Sequence, residues 1–589
     1  MRDVDHLERE ALVGLAQAVP YGARRWVHQR VPASVWRQIR RVGVGETAPQ
    51  RWARRGKTGS AALMLSARNP GRPIVTLSGQ TYVATTVERF RSNDVMAAEL
   101  DFVASALDAH DVPYFVLDAQ AEQRRVVVVP ASERRRAIAA LESANRDDIA
   151  YVARLRGKEL RSPRLLRTGA VSRRAKVIRV FRVHVSPTGG YLGGPLLGCD
   201  VEFWGVTGVA RAAPDNGEPI PAGTWVAPRP NRWADIVVPS EQDVVLRPVD
   251  SREMPRLATI TRPHVLSVTT PVDVVYTWVD GSDPGWLERK ARAQAEQSGS
   301  VHGIHELAAN ESRFTSRDEL RYSLRSLDMY ADWVRHVFLV TDDQVPTWLD
   351  TENPRVSVVS HRELFGDRGR LPTFNSHAIE SQLHHIEGLA EQYLYLNDDV
   401  FFGRPLSPSR FFHGNGLAIF ALSKAKIGLG DPSPADAPVM SAAKRNRDLL
   451  AKHFGVTVTN KFQHVPHPLR RSVMHDLEKE FQEEFRRTAS AQFRSSNDIS
   501  ISSSLGHYYG YITGRAVPGS LHYFYADIAR DDTPDRLTTL LRERDYDVFC
   551  LNDHDSSRID PVSQAKIVGD FLEAYFPLPS SFEKPGSRP

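Results

Sequence analysis

The sequence predicts an α/β protein, with a mostly parallel sheet flanked by helices in the C-terminal domain and a smaller α+β domain before it. Three observations predict this. From Val272 onward, β-branched apolar runs alternate with stretches of helical periodicity. Several of these runs end in polar corners rich in Asp and Asn. Before about residue 265, strands and helices follow one another without that regular alternation, as in an α+β domain.

Residues 1–60 read as short helices with basic connectors. Strands are expected at 73–79, 112–119, 124–131, 176–185 and 200–206, with helices at 93–110 and 132–144. In the last of these strands Asp200 and Glu202 share one face. That spacing can hold a metal, but a polar solvent face is the plainer expectation. Pro- and Gly-rich text from 216 to 263 reads as a loop-rich connector. Strands follow at 272–280, 336–342, 355–361 and 392–400, with helices at 317–330, 378–389 and 471–487 and another opened by Arg494 to Asp498. The expected organisation is a basic helical segment at 1–60, an α+β domain of unassigned role at 61–265 and a catalytic domain at 266–580.

Of 589 residues 41% are hydrophobic and 25% charged, enough apolar material for packed cores. Cys199 and Cys550 support neither a disulfide framework nor a CxxC metal site, which fits a reducing cytoplasm. The first residues are acidic and amphipathic rather than leader-like, and no stretch reaches the ~20 apolar residues of a transmembrane span. A cytoplasmic protein is expected. Paired arginines in the first third, among them Arg24–Arg25 and Arg134–Arg136, suit a solvated surface, a polyanion or peripheral contact with the inner face of a membrane. Aromatics do not interleave with them, so nucleic acid is not expected as a partner. The GxxxxGK[ST], strand–GxGxxG–helix and GxSxG motifs are missing, which disfavours P-loop phosphorylation and serine hydrolysis.

Three strands deliver acids or amides at their carboxyl ends: Asp280–Asp283, Asp342–Asp343 and Asn397-Asp398-Asp399. Ligands of open α/β sheets bind at that edge. Any one pair alone could be a turn. Adjacent carboxylates otherwise need a counter-cation, and hard oxygen donors suit Mg²⁺ or Mn²⁺ shared with substrate phosphates. The third cluster is the strongest, because apolar text encloses it on both sides. Later, His464 and His467 stand three apart, followed by Arg494. An imidazole can move a proton or attack phosphorus, and a guanidinium grips phosphate oxygens. Ordinary loop histidines are the bland alternative. Zinc is disfavoured at this pair, which lacks a Cys or third His at a typical distance.

Four blocks, DVVYTWVDGSDPGW (273–286), RFTSRDELRYSLRSLDMYADWVRHVFLVTDDQVPTWL (313–349), LPTFNSHAIESQLHHIEGLAEQYLYLNDDVFFGRPL (371–406) and HVPHPLRRSVMHDLEKEFQEEF (464–485) through FRSSNDIS (493–500), resemble the Stealth family of sugar-phosphate transferases. CLNDHD (550–555) is similar to the family's closing motif. The resemblance implies a Rossmann-like or GT-A-like sheet, a nucleotide-sugar donor, a polysaccharide or glycan acceptor, a divalent metal and a phosphodiester product. It implies that Glu380, Asp399, His464 and Arg494 are catalytic, and that Asp399, with Asp398 or Asp553, holds the metal. Asp280, Asn375, Asn397, Asn552 and His467 are expected to contact substrate. Capsule or exopolysaccharide synthesis is the expected setting. The alternatives are a metal-dependent nucleotide-sugar glycosyltransferase, distinguished by the nucleotide released, and a non-catalytic carbohydrate-binding protein.

Overall fold

The computed structural model describes residues 71–77, 80–117, 124–145, 149–157, 159–171, 174–209, 211–212, 219–298, 314, 316–433, 435–553 and 560–587. The expected helical segment 1–60 lies outside the described residues. The chain groups into two compact units, Met1–Val83 and Ala84–Pro589. In the first, Ile74–Leu77 and Gln80–Val83 pair antiparallel.

The second unit opens with α1 (Ser92–Asp108), β1 (Phe115–Leu117), β2 (Val126–Pro130), α2 (Arg134–Ala144), β3 (Tyr151–Arg156), β4 (Glu159–Leu165), β5 (Val177–Phe181) and β6 (Cys199–Val206). β6 lies parallel to β2 and antiparallel to β5, and β3 joins β5 to β4. Leu100, Val103 and Leu107 of α1 and Leu141 of α2 share one core with Val127, Val129 and Val201. The residues opposite on β6 correct the solvent-face expectation. Asp200 and Glu202 are 1% and 0% exposed. Arg179, directly across the register, holds Asp200 at 2.6 Å, and Arg229 holds Asp200 at 2.8 Å and Glu202 at 2.7 Å. Guanidinium charge stabilises the buried acids. The connector is also more ordered than its composition suggests, since Val244–Val249 and Arg252–Leu257 pair antiparallel.

The C-terminal sheet is built from β7 (Val272–Thr277), β8 (Val337–Thr341), β9 (Val356–Ser360), β10 (Gln392–Asn397) and β13 (His467–Arg470), in the order β9-β8-β7-β10-β13. Its first three pairings are parallel and the last antiparallel. Both faces are covered, which is why these strands read as continuous apolar runs. Val274, Tyr276, Leu394 and Leu396 enter one core, and Val275, Tyr393 and Tyr395 enter another. On the first face lies α4 (Glu319–Tyr330), buried along its whole length; α3 (Pro284–Ser298) precedes it. Beyond β10, β11 (Val400–Phe402), β14 (Tyr523–Asp527) and β15 (Val548–Asn552) form a small second sheet, with β15 central; β12 (Ala418–Lys426) and α6 (Pro438–Phe454) lie between β11 and β13 in the chain.

Three helix expectations are corrected. The helix expected at 378–389 is α5 (Ser376–Glu380) followed by a single tight turn, Leu383–His385. Ser381 Oγ bonds back to the Ala378 carbonyl at 2.7 Å, and Gly388 is left-handed at φ +77°. Side-chain-to-backbone bonding of this kind competes with helix continuation. The helix expected at 471–487 divides at Phe481 into α7 (Arg471–Glu480) and α8 (Gln482–Ala489), because the Phe481 ring is 1% exposed and its burial takes precedence over helical φ and ψ. After Arg494 the chain stays irregular until Ile501.

Candidate active site

β7 and β10 end in register, Thr277 opposite Asn397, so the segments that follow leave at one edge of the sheet. The turn after β10 is short: β11 begins at Val400, which pairs with Cys550 of β15. The Leu551 amide donates to the Asp399 carbonyl at 3.1 Å. This pairing carries β15 past the acidic turn and sets Asn552 Nδ2 at 3.0 Å and Cys550 Sγ at 3.4 Å from Asp399 Oδ2. Tyr525 on β14 donates to Asn552 Oδ1 at 3.2 Å and orients that amide.

His464 arrives on the segment leading into β13. Its Nε2 lies 3.2 Å from Asp399 Oδ1 and 3.1 Å from Asn397 Nδ2. Tyr395 OH donates to Asn397 Oδ1 at 2.8 Å and fixes the amide's orientation. The side chains of Asp399 and His464 are 16% and 32% exposed, enclosed yet reachable. Burial raises the Asp399 carboxyl, but the His464 charge and the hydrogen bonds of His464, Asn552 and Cys550 outweigh it and hold Asp399 below its ordinary value. Burial lowers His464, and the charge and hydrogen bond of Asp399 outweigh that, so the imidazole sits above its ordinary range. Both shifts favour the ion pair.

Glu380 and Arg494 make the second part of the site. Their charges reach His464, Glu380 raising its pKa and Arg494 lowering it. Arg494 Nη2 donates to Ser376 Oγ at 2.5 Å, while its Nε is buried without a hydrogen-bond partner. Ser503 Oγ donates to Glu380 Oε2 at 3.0 Å. Burial lowers the Arg494 pKa, and Glu380 opposes it.

The other expected site residues fall in different places. Asp398 shares the acidic turn. Asp553, next after Asn552, accepts a 2.7 Å bond from Arg317. Asp280 Oδ1 turns back to the Ser282 amide and hydroxyl at 2.9 and 2.6 Å. Asn375 is wholly buried, accepts from the His377 amide and gives its own amide to Asp498 at 2.9 Å. Its amide thereby braces the Arg494 loop. His467 is likewise buried, its Nδ1 3.0 Å from His507 Nε2. The acids after β8 are already used: Arg289 holds Asp342 at 2.8 Å, and Arg362 lies 3.4 Å from Asp343.

Glu319, Arg317 and Cys550 were not legible as site residues. Burial raises the Asp398 carboxyl well above its ordinary value, and the Glu319 and Asp399 charges add to the rise. Burial likewise raises Glu319, with Asp399 adding to the effect. Glu319 reads in sequence as a first-turn helix acid, and only the packing of α4 under β11 brings it to the turn. The charges of Asp398, Asp399 and Glu319 raise one another's cost, and a divalent cation with a preference for oxygen, Mg²⁺ or Mn²⁺, would offset them; among the described residues, the ligating atoms that lie within 4.8 Å of one another here are those of Asp399, His464 and Cys550.

A mostly parallel sheet carrying carboxylates, amides and an imidazole just past its strand ends is the ligand-binding edge of an α/β enzyme. The chain belongs to the Stealth family. Stealth protein conserved regions 1, 2, 3 and 4 match residues 270–297, 313–420, 463–511 and 538–589. The chain is 40% identical to exopolysaccharide phosphotransferase SCO6023 of Streptomyces coelicolor over 98% of both proteins. It is 37% identical to exopolysaccharide phosphotransferase CpsY of Mycobacterium tuberculosis, over 88% of this chain and 95% of that one. Identity to exopolysaccharide phosphotransferase SCO2592 of S. coelicolor is 44% over 84% of this chain, which spans about half, 52%, of that longer relative. Among solved structures, an LgtC active-site mutant aligns over 51% of this chain and 95% of its own, at 11% identity and a TM-score of 0.26.

Proposed function

We propose that this chain transfers a hexose-1-phosphate from a nucleotide-sugar to a hydroxyl of a polysaccharide or glycan acceptor, forming a phosphodiester in exopolysaccharide or capsule assembly. The observation that carries this reading is His464 Nε2 lying between Asp399 and Asn397, within charge range of Arg494. Kinship to exopolysaccharide phosphotransferases supports it. The catalytic unit is residues 266–580. Among the described residues no helix is long and apolar enough to cross a membrane. We place the enzyme on the cytoplasmic side, where nucleotide-sugars are made, with peripheral contact at the membrane's inner face.

The imidazole has two hydrogen-bonding states at one atom. Without a proton on Nε2 it accepts from Asn397; with one it donates to Asp399. Such a nitrogen can take the proton of an acceptor hydroxyl and keep it against a carboxylate. Alternatively the same ring attacks the sugar-linked phosphorus, the phosphoanhydride bond breaks to release nucleoside monophosphate, and the acceptor hydroxyl then displaces the ring from the sugar-phosphate it carries. A labelled sugar-phosphate trapped on His464 selects the second route. Arg494, anchored through Nη2 on Ser376, binds transferring phosphoryl oxygens with its guanidinium. Asn552 holds Asp399 in place, and Glu380 faces donor-sugar hydroxyls. Asp398 and Asp399, with Asp553, would hold Mg²⁺ or Mn²⁺, which when bound offsets the charge of the diphosphate. A donor labelled in its sugar-linked phosphate tests the proposal: label in the glycan product supports it, and an unlabelled glycosidic product rejects it.

A further inference from the structure

The described residues hold a second group of metal-ligating side chains, remote in sequence from the acidic turn. His384 and His385 end the tight turn after α5, while His475 and Glu478 stand on α7. Residues three apart on a helix share a face, so α7 presents its imidazole and carboxylate together. One donor atom from each of the four lies within 4.8 Å of every other. His384 Nε2 and His385 Nε2 are both 2.8 Å from Glu478 Oε2. The three rings crowd at centroid distances of 4.2, 4.7 and 5.2 Å. α7 starts beside Gln392, the first residue of β10, whereas Asp399 lies past its last.

An imidazole–carboxylate network could exist for packing alone. Two details argue for more. A single carboxylate oxygen serves two rings, and the third ring, that of His475, packs against both. The His384 ring is fully buried, yet its Nδ1 has no hydrogen-bond partner. Buried polar nitrogens are nearly always satisfied in finished structures.

We propose that His384, His385, His475 and Glu478 bind Zn²⁺ as a structural clamp between the 383–385 turn and α7. Three nitrogens and one oxygen are a donor set that Zn²⁺ takes tetrahedrally. Bonds of 2.0–2.1 Å place tetrahedral ligands about 3.3 Å apart, so modest side-chain rotation closes the group. All four positions are filled by protein, which is the mark of a structural rather than a catalytic zinc. The clamp joins two segments that lead to the active site, since Glu380 precedes the turn and α7 continues through α8 to the Arg494 loop.

The test uses Zn²⁺ alone, titrated calorimetrically into chelator-stripped protein. Asp399, His464 and Cys550 form a second candidate group, so the titration is made in an Asp399→Asn/His464→Ala background to silence it. One equivalent of Zn²⁺ should still bind, raise the unfolding temperature and, with Co²⁺ in its place, give tetrahedral ligand-field absorption. Adding His385→Ala and His475→Ala should remove that equivalent and the thermal gain while circular dichroism stays unchanged. Glu478→Gln, a near-isosteric second variant, should weaken binding. Zn²⁺ failing to bind in the background, or one equivalent persisting after loss of both histidines, overturns the proposal. Because catalysis is never read, its failure is separable from that of the transferase reading.

Discussion

His464 Nε2 stands 3.2 Å from Asp399 Oδ1, joining residues 65 positions apart in sequence. The contact exists because β10 and β13 pair antiparallel, bringing the segment before β13 back over the turn that ends β10. A positioned proton acceptor contributes about 10²–10⁴-fold to a rate. His464→Ala should therefore lower kcat by about that factor, with an unchanged circular dichroism spectrum. Wild-type turnover in that variant would remove His464 from the chemistry.

The ion pair also gives a signed pH dependence. His464 is raised above its unfolded value of about 6.5, so its contribution to stability is complete below that pH. It is lost as pH rises through the folded value. Asp399 is lowered, so its contribution is complete above about 3.9 and disappears as pH falls through its folded value. The unfolding-temperature difference between wild type and His464→Gln should accordingly shrink as pH rises above neutrality. A difference that grows instead would contradict the pairing.

Asp398 predicts a metal effect of its own. Its carboxyl is raised by burial and by the charges of Glu319 and Asp399, so its ionisation disfavours the fold as pH rises above about 3.9. Mg²⁺ or Mn²⁺ should raise the unfolding temperature near neutral pH. Asp398→Asn should be more stable than wild type without metal and gain less from adding it. Equal gains in the two proteins would exclude Asp398 from the cation's shell.

Away from the site, Asp200→Ala strands the buried Arg179 guanidinium, whereas Arg229, 25% exposed, keeps its bond to Glu202. Breaking a buried pair by removing one partner costs about 3–5 kcal/mol. Denaturant unfolding should show a loss of that order, while transfer per folded molecule stays near wild type. A loss below about 1 kcal/mol would mean that water reaches the Arg179 guanidinium, as at surface pairs.

Much of this is legible in the sequence. The strands of the parallel sheet read directly, because burial on both faces leaves an uninterrupted β-branched pattern in the sequence. Asn397 to Asp399 was legible for a related reason: an acidic turn inside apolar text has no solvent to justify it. Glu319 was not, since its role depends on α4 packing under β11, which no local pattern encodes. Nor were the partners of Asp200 and Glu202, because a buried ion pair and a solvent face leave the same alternation on a strand. Asn375 illustrates a third limit, in that a motif marks a position without revealing whether its amide reaches substrate or braces a loop.

The most direct test incubates the chain with a panel of nucleotide-sugars, Mg²⁺ and a glycan acceptor, and identifies the nucleotide released. Transfer of sugar-1-phosphate predicts nucleoside monophosphate in step with phosphodiester formation, both lost in His464→Ala. Release of nucleoside diphosphate with a glycosidic product would contradict the account.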